Sequence, residues 1–138
     1  MKISIINGPN LNLIGTRETD VYGSESMEHY FQKLRKKYEH VDFDYFQSNI
    51  EGEIINEIQR AGLKMDGIIL NPGGYTHTSV AIGDAVAGIK VPVVEVHISN
   101  IDAREEFRKL SFVSAKCKGT ISGLGLKGYA LAVEYFLK

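Results

Sequence analysis

No apolar run in this 138-residue chain approaches the roughly 20 residues needed to span a bilayer as a helix. There is no basic excess either. Sixteen Lys and Arg face seventeen Asp and Glu, for a formal net charge of −1, which removes the electrostatic case for nucleic acid or an anionic membrane as partner. The densest basic stretch, Lys33-Leu34-Arg35-Lys36-Lys37, is broken by a leucine and followed by Glu39, so it reads as a solvated helix face and helix end. A single cysteine, Cys117, rules out an internal disulfide and is consistent with a reducing compartment. Its neighbours Lys116 and Lys118 favour a lowered thiol pKa, although the position also reads as a small residue at a strand start. Repeats, low-complexity segments and linkers are absent. Met1-Lys2 leads straight into Ile3-Ser4-Ile5-Ile6, a run too short for the apolar part of a signal peptide, and a cytoplasmic setting is the expectation.

What is present is an ordinary globular balance, 43% hydrophobic and 24% charged, which at this length implies one domain over residues 1–138. Residues 2–6 read as a buried first strand. Met27, Tyr30, Phe31, Leu34 and Tyr38 recur on one helical face, with Ser24 as N-cap. Residues 41–45 alternate as a strand. Ile54, Ile55, Ile58 and Ala61 form a second helical stripe, with Gly62 as C-cap. Residues 67–70 form a third strand, 79–87 a helix, 91–96 a fourth strand with Pro92 near its start, 103–110 a short helix, 119–121 a fifth strand and 127–137 a closing helix. Alternating strands and helices imply a parallel sheet covered on both faces, and five strands suggest the flavodoxin-like order 2-1-3-4-5.

In such a sheet, ligands bind beyond the carboxyl ends of the strands. Five polar or glycine-bearing clusters fall there: Asn7-Gly8-Pro9-Asn10-Leu11-Asn12, Gln47-Ser48-Asn49, Asn71-Pro72-Gly73-Gly74-Tyr75-Thr76-His77-Thr78-Ser79, His97-Ile98-Ser99-Asn100 and Ser122-Gly123-Leu124-Gly125. An enzyme or small-molecule binder is therefore favoured over a structural module. Residues 10–23 form a long loop that holds Arg17 and Tyr22, either a lid over the site or an exposed connection. For Tyr22 to act as a base, its phenol must fall from about 10 to about 7, which needs roughly 4 kcal/mol of preferential phenolate stabilisation. Arg17 with a second cation such as Arg108, in a water-poor site, supplies a route to that. His77 lies near a helix start and serves either as a cap or as a ligand contact, and Asp84, seven residues on, faces away from its own site towards a neighbouring chain. Glu95 and His97 share one face of a strand, as a structural pair or as an acid with its support. Ile98 and Ser99 offer backbone amides and a hydroxyl for a carboxylate, and Arg104 and Arg108, at i and i+4, either form a solvated helix face or turn one arginine into the site.

Together these stretches resemble the type II 3-dehydroquinate dehydratases. The resemblance runs in order from Asn7-Gly8-Pro9-Asn10-Leu11-Asn12-Leu13 through Gly15-Thr16-Arg17-Glu18, Tyr22-Gly23, Gln47-Ser48-Asn49 and Glu51-Gly52. It continues through Asn71-Pro72-Gly73, Tyr75-Thr76-His77-Thr78-Ser79, Glu95-Val96-His97-Ile98-Ser99-Asn100, Ala103-Arg104-Glu105, Phe107-Arg108, Gly123-Leu124-Gly125 and Gly128-Tyr129. The resemblance implies a flavodoxin-like subunit in a twelve-chain assembly of trimers. It also implies dehydration of 3-dehydroquinate to 3-dehydroshikimate through an enolate, in the biosynthetic shikimate pathway, with no metal or organic cofactor. By the same resemblance Tyr22 is the base, Arg17 the lid arginine, Asn12 the holder of an enolate-stabilising water, and His97 the general acid supported by Glu95. Asn71, His77, Arg108, Ile98 and Ser99 become substrate contacts, and Asp84 a contact across the trimer interface. Three positions depart from the common pattern: Gly74 for alanine, Gly83 for a basic residue and Asp102 for histidine.

Two other classes compete. A non-catalytic flavodoxin-like module would need either the acidic pair and aspartate of a phospho-receiver, where this chain has Asn7 and Asn71, or the Ser/Thr/Gly-rich phosphate loop of a flavin carrier, which residues 7–12 are not. No Walker lysine motif is present. A metal hydrolase would use His77, His97 and Asp84 as ligands.

Overall fold

Five parallel strands, β1 (Lys2–Asn7), β2 (Asp42–Gln47), β3 (Gly67–Asn71), β4 (Val93–His97) and β5 (Gly119–Ser122), form a sheet of order β2-β1-β3-β4-β5 in the computed structural model. The structure describes residues 1–16 and 25–137. Among these residues four helices, α1 (Met27–Lys37), α2 (Glu51–Lys64), α3 (Val80–Ala87) and α4 (Lys127–Phe136), cover the sheet. The strand order is the one expected from the strand count.

The two-residue alternation of each strand divides the core between two layers. Ile3, Ile5, Ile69, Val94 and Val96 pack with Phe31 and Leu34 of α1 and with Tyr129 and Val133 of α4. Ile6, Ile68, Leu70 and Val93 face the other way, onto Ile54 and Ile58 of α2 and Ile82 and Val86 of α3. Ile3, Ile5, Ile54, Ile58 and Ile69 are fully buried. Each such side chain contributes about 1.5–3 kcal/mol by leaving water. Glu95 and His97 occupy the alternate positions of β4 and therefore project towards the α2–α3 layer, where a buried carboxylate requires partners.

Three local expectations are corrected. The N-cap of α1 is Ser26, whose hydroxyl accepts from the His29 amide at 3.1 Å; Ser24 lies outside the described residues. Helix α2 runs through Gly62 to Lys64 and ends at Met65. Gly62 serves packing rather than capping, since a Cβ there would sit 2.5 Å from Ile89 Cγ2. Residues 103–110 do not form one helix. Arg104 is extended and separates two 3-10 turns, Ile101–Ala103 and Glu106–Lys109. The Asn100 carboxamide accepts from the Asp102 amide at 3.2 Å and closes the first turn. Phe107 and Leu110 stay exposed, so no buried stripe drives a longer helix.

Candidate active site

The carboxyl ends of β1, β3 and β4 open into a cavity of about 170 Å³, the size of a small metabolite rather than a polymer segment. Pro9, Asn10, Leu11, Leu13 and Ile14 line one wall; Asn71, Gly73, Gly74 and His77 line the second. His97, Ile98, Ser99, Ile101, Arg104 and Arg108 complete it. Of the sequence-selected residues, the structure thus brings together Asn71, His77, His97, Ile98, Ser99 and Arg108. Arg17 and Tyr22 lie outside the described residues.

The wall from β3 is built by hydrogen bonds. The Asn71 carboxamide donates to the Tyr129 hydroxyl at 3.0 Å and accepts from the Gly73 amide at 3.1 Å. Its second N–H remains for a ligand. Tyr129 in turn donates to Asn7 Oδ1 at 2.8 Å, and Asn7 donates to the Tyr45 hydroxyl at 3.2 Å. Burial pushes the Tyr129 phenol far up, so this hydroxyl is a fixed donor. Gly73 has φ +61°, which suits glycine, and Gly8 lets the two loops meet, since a Cβ there would sit 2.5 Å from the Pro72 carbonyl oxygen. His77 Nδ1–H donates to the Leu110 carbonyl at 2.7 Å. Burial is the main cause that lowers the His77 pKa, with Arg108 and His97 adding to it, so its neutral ring offers Nε2 as an acceptor.

The wall from β4 carries linked ionisable groups. His97 Nε2 is hydrogen-bonded to Glu95 Oε2, and both side chains are buried. That leaves Nδ1 as the ring nitrogen available to a ligand. The imidazole of His97 lies nearly parallel to that of His77, with centroids 6.5 Å apart. Arg108 Nε donates to Glu105 at 2.7 Å, and Arg104 donates to Ser99 Oγ at 3.3 Å. The Glu105 carboxyl is held below its ordinary pKa chiefly by its hydrogen bond to Arg108. In a 3-10 turn, residues i and i+3 eclipse, which aligns Glu105 with Arg108. Both arginines reach the cavity, where one was expected. Among the described residues no acidic side chain lines it, which favours an anionic ligand.

Asn12 and Asp84 do not line the cavity. Asn12 is exposed, with its Oδ1 3.5 Å from Gln47 Nε2. Asp84 is exposed on α3, a helix that begins only after His77, which sits in the preceding 3-10 turn. Asp84 does not join His77 and His97 in the cavity lining, as the metal-hydrolase reading requires. Among the described residues, no group of three or more His, Cys, Asp or Glu is placed to hold a metal ion. The Gln47-Ser48-Asn49 cluster braces the first loop: Gln47 donates to the Gly8 carbonyl at 3.1 Å, and Asn49 accepts from the Asn10 amide at 3.0 Å.

The family profile described as dehydroquinase class II matches residues 1–137. The chain belongs to the class II dehydroquinase family. It is 53% identical to a 3-dehydroquinate dehydratase of Fusobacterium nucleatum over 143 aligned positions, covering 100% of this chain and 97% of that protein. A type II dehydroquinase crystal structure from Butyrivibrio crossotus superposes with a TM-score of 0.96 at 46% identity, covering 100% of this chain and 98% of that one. One from Propionibacterium acnes gives 0.93 at 39% identity, covering 98% and 94%. Set against this dehydroquinase membership, Asn7, Glu105 and Tyr129 are visible from sequence only within motifs, with no role of their own, and the sequence leaves open which of Arg104 and Arg108 turns inward. Tyr129 carried a usable signal, because a tyrosine on the buried face of a helix needs a partner for its hydroxyl.

Proposed function

We propose that this site eliminates water from 3-dehydroquinate to give 3-dehydroshikimate, as a type II 3-dehydroquinate dehydratase of the shikimate pathway. The observation that carries the reading is His97, backed by the buried Glu95, in the wall of a cavity lined by two guanidinium groups, in a chain of this family. Elimination beside a ketone needs a base, an enolate stabiliser and an acid. Tyr22 removes the proton at C2 and His97 protonates the departing C1 hydroxyl, with Glu95 holding the imidazole. Arg17 stabilises developing charge, and Asn12 holds the water that hydrogen-bonds the enolate oxygen. Asn71, His77, Arg108 and the Ile98–Ser99 segment orient the substrate, whose carboxylate the cationic wall suits.

The assembly in this reading is a dodecamer of trimers in the cytoplasm, with Asp84 reaching the neighbouring subunit's site. Exposed Val80, one turn before Asp84 on α3, and exposed Phe107, Leu110 and Phe112 support a subunit contact on this side. Growth of the conjugated-enone absorbance on adding 3-dehydroquinate, equal with and without a chelator, is the expected result. A folded, assembled protein that gives no such signal would overturn the reading.

A further inference from the structure

Glu95 is the one fully buried acidic side chain among the described residues, and its two oxygens have different partners. Oε2 meets His97; Oε1 accepts from the Ser114 hydroxyl at 2.8 Å. Ser114 Oγ also lies 2.9 Å from Ser111 Oγ. Ser114 has one hydroxyl hydrogen and a carboxylate can only accept. That hydrogen therefore goes to Glu95, and Ser111 donates to Ser114. Ser111 is fixed in turn, since its oxygen accepts the amides of Val113 at 3.1 Å and Ser114 at 3.0 Å. The result is a one-directional chain, Ser111 to Ser114 to Glu95, ending at the imidazole that faces the cavity. Hydrogen bonds in such chains polarise one another.

We infer that Ser114, backed by Ser111, is a positioning residue that holds the Glu95 carboxylate aimed at His97. The inference rests on the dehydratase reading of His97. Among the described residues, the titratable groups that the structure shows interacting with Glu95 are His97 on its own strand, Cys117 with its thiol 3.9 Å from Oε1, and His77, on which both Glu95 and Arg108 act electrostatically. Burial, then the Glu95 charge, pushes the Cys117 thiol up to about 12, so Cys117 stays neutral and is a poor substitute for the serine hydroxyl.

The test compares kcat and KM for the wild type, Ser114→Ala, Ser114→Thr and Ser111→Ala, with folding checked by circular dichroism. Ser114→Ala should lower kcat about ten- to a hundredfold, the range for losing a hydrogen bond to a charged group, while KM changes little. Ser114→Thr should restore kcat, and Ser111→Ala should give a smaller loss. Should Ser114→Ala fail to fold, Ser111→Ala still tests the chain. Wild-type kcat in the folded alanine variants would overturn the inference. Carbon-13 NMR of the Glu95 carboxyl at a single pH separates this outcome from failure of the dehydratase reading. Even in a protein inactive on 3-dehydroquinate, the carboxyl shift should differ between the wild type and the folded alanine variants, and an unchanged shift would overturn the inference.

Discussion

Asn71 and His97 close adjacent strands and face the same cavity, yet their side chains are engaged in different ways. Asn71 spends its oxygen on the Gly73 amide and one N–H on Tyr129, so its bonds shape the turn and tie β3 to α4. His97 spends its bond on Glu95, which is held by Ser114. One strand end is wired to the backbone and the buried core, the other to a string of protons. Changes at β3 should therefore register first as stability, and changes at β4 first as turnover.

The largest expected effect tests the second half of that contrast. His97→Asn keeps a polar side chain but removes the proton donor. It should lower kcat by about 10²- to 10⁴-fold, the usual contribution of a positioned general acid. The thermal midpoint should stay near that of the wild type. A variant that keeps more than a tenth of wild-type kcat would detach His97 from the chemistry.

Next comes the segment that joins the two walls. A Cβ at Gly83 would lie 2.1 Å from the Phe112 carbonyl oxygen, and Phe112 sits between Ser111 and Ser114. Its amide donates to the Thr76 carbonyl at 2.9 Å, so the segment cannot simply slide away. Gly83→Ala should cost about 1–3 kcal/mol in denaturant unfolding, as overpacking does, and lower kcat as well. Gly74 is the control: a Cβ there meets nothing within 4 Å, and Gly74→Ala should change stability by less than about 0.5 kcal/mol. Equal unfolding midpoints for the two variants would show that the Phe112 backbone is free to yield.

Tyr129→Phe tests the first half of the contrast. It leaves Asn7 Oδ1 without its tyrosine donor and Asn71 without its acceptor, inside a site the tyrosine fills completely. The expected loss is about 1–3 kcal/mol in urea unfolding, with kcat reduced less than in Ser114→Ala. A kcat loss exceeding that of Ser114→Ala, at wild-type stability, would reverse the assignment of the two walls.

These distinctions set the boundary of what the sequence could reveal. The strand order follows from the strand count, the helix faces of α1 and α2 from periodicity, and the siting of Asn71, His77, His97, Ile98 and Ser99 at the cavity from the polar clusters at strand ends, whereas the choice between Arg104 and Arg108 stays open. The division of labour among those clusters does not. Gln47-Ser48-Asn49 looks as ligand-like as any of them, yet it braces a loop, because sequence shows donors and acceptors but not their partners. The break at Arg104 was hidden for a similar reason: residues 103–110 have ordinary helical composition, and only a capping bond and the lack of a face to bury decide against a helix. Ser114 lies nineteen residues from Glu95, and nothing local signals their contact.

The smallest effect concerns His77, which belongs to the backbone-wired wall although it titrates. Its folded-state pKa is lowered, above all by burial, from the ordinary value near 6.5. The unfolded chain therefore takes up a proton at a pH where the folded protein still resists it. Stability from the neutral ring is fully present above about 6.5, declines as the pH falls below that value, and levels off once the ring charges in the folded state. One proton limits the slope to about 1.4 kcal/mol per pH unit. The quantity to measure is the difference between wild type and His77→Gln. Urea midpoints followed from pH 7.5 to 5 should fall more steeply for the wild type. Parallel curves would mean that the Leu110 carbonyl, which favours the charged ring, offsets the cost of burying it.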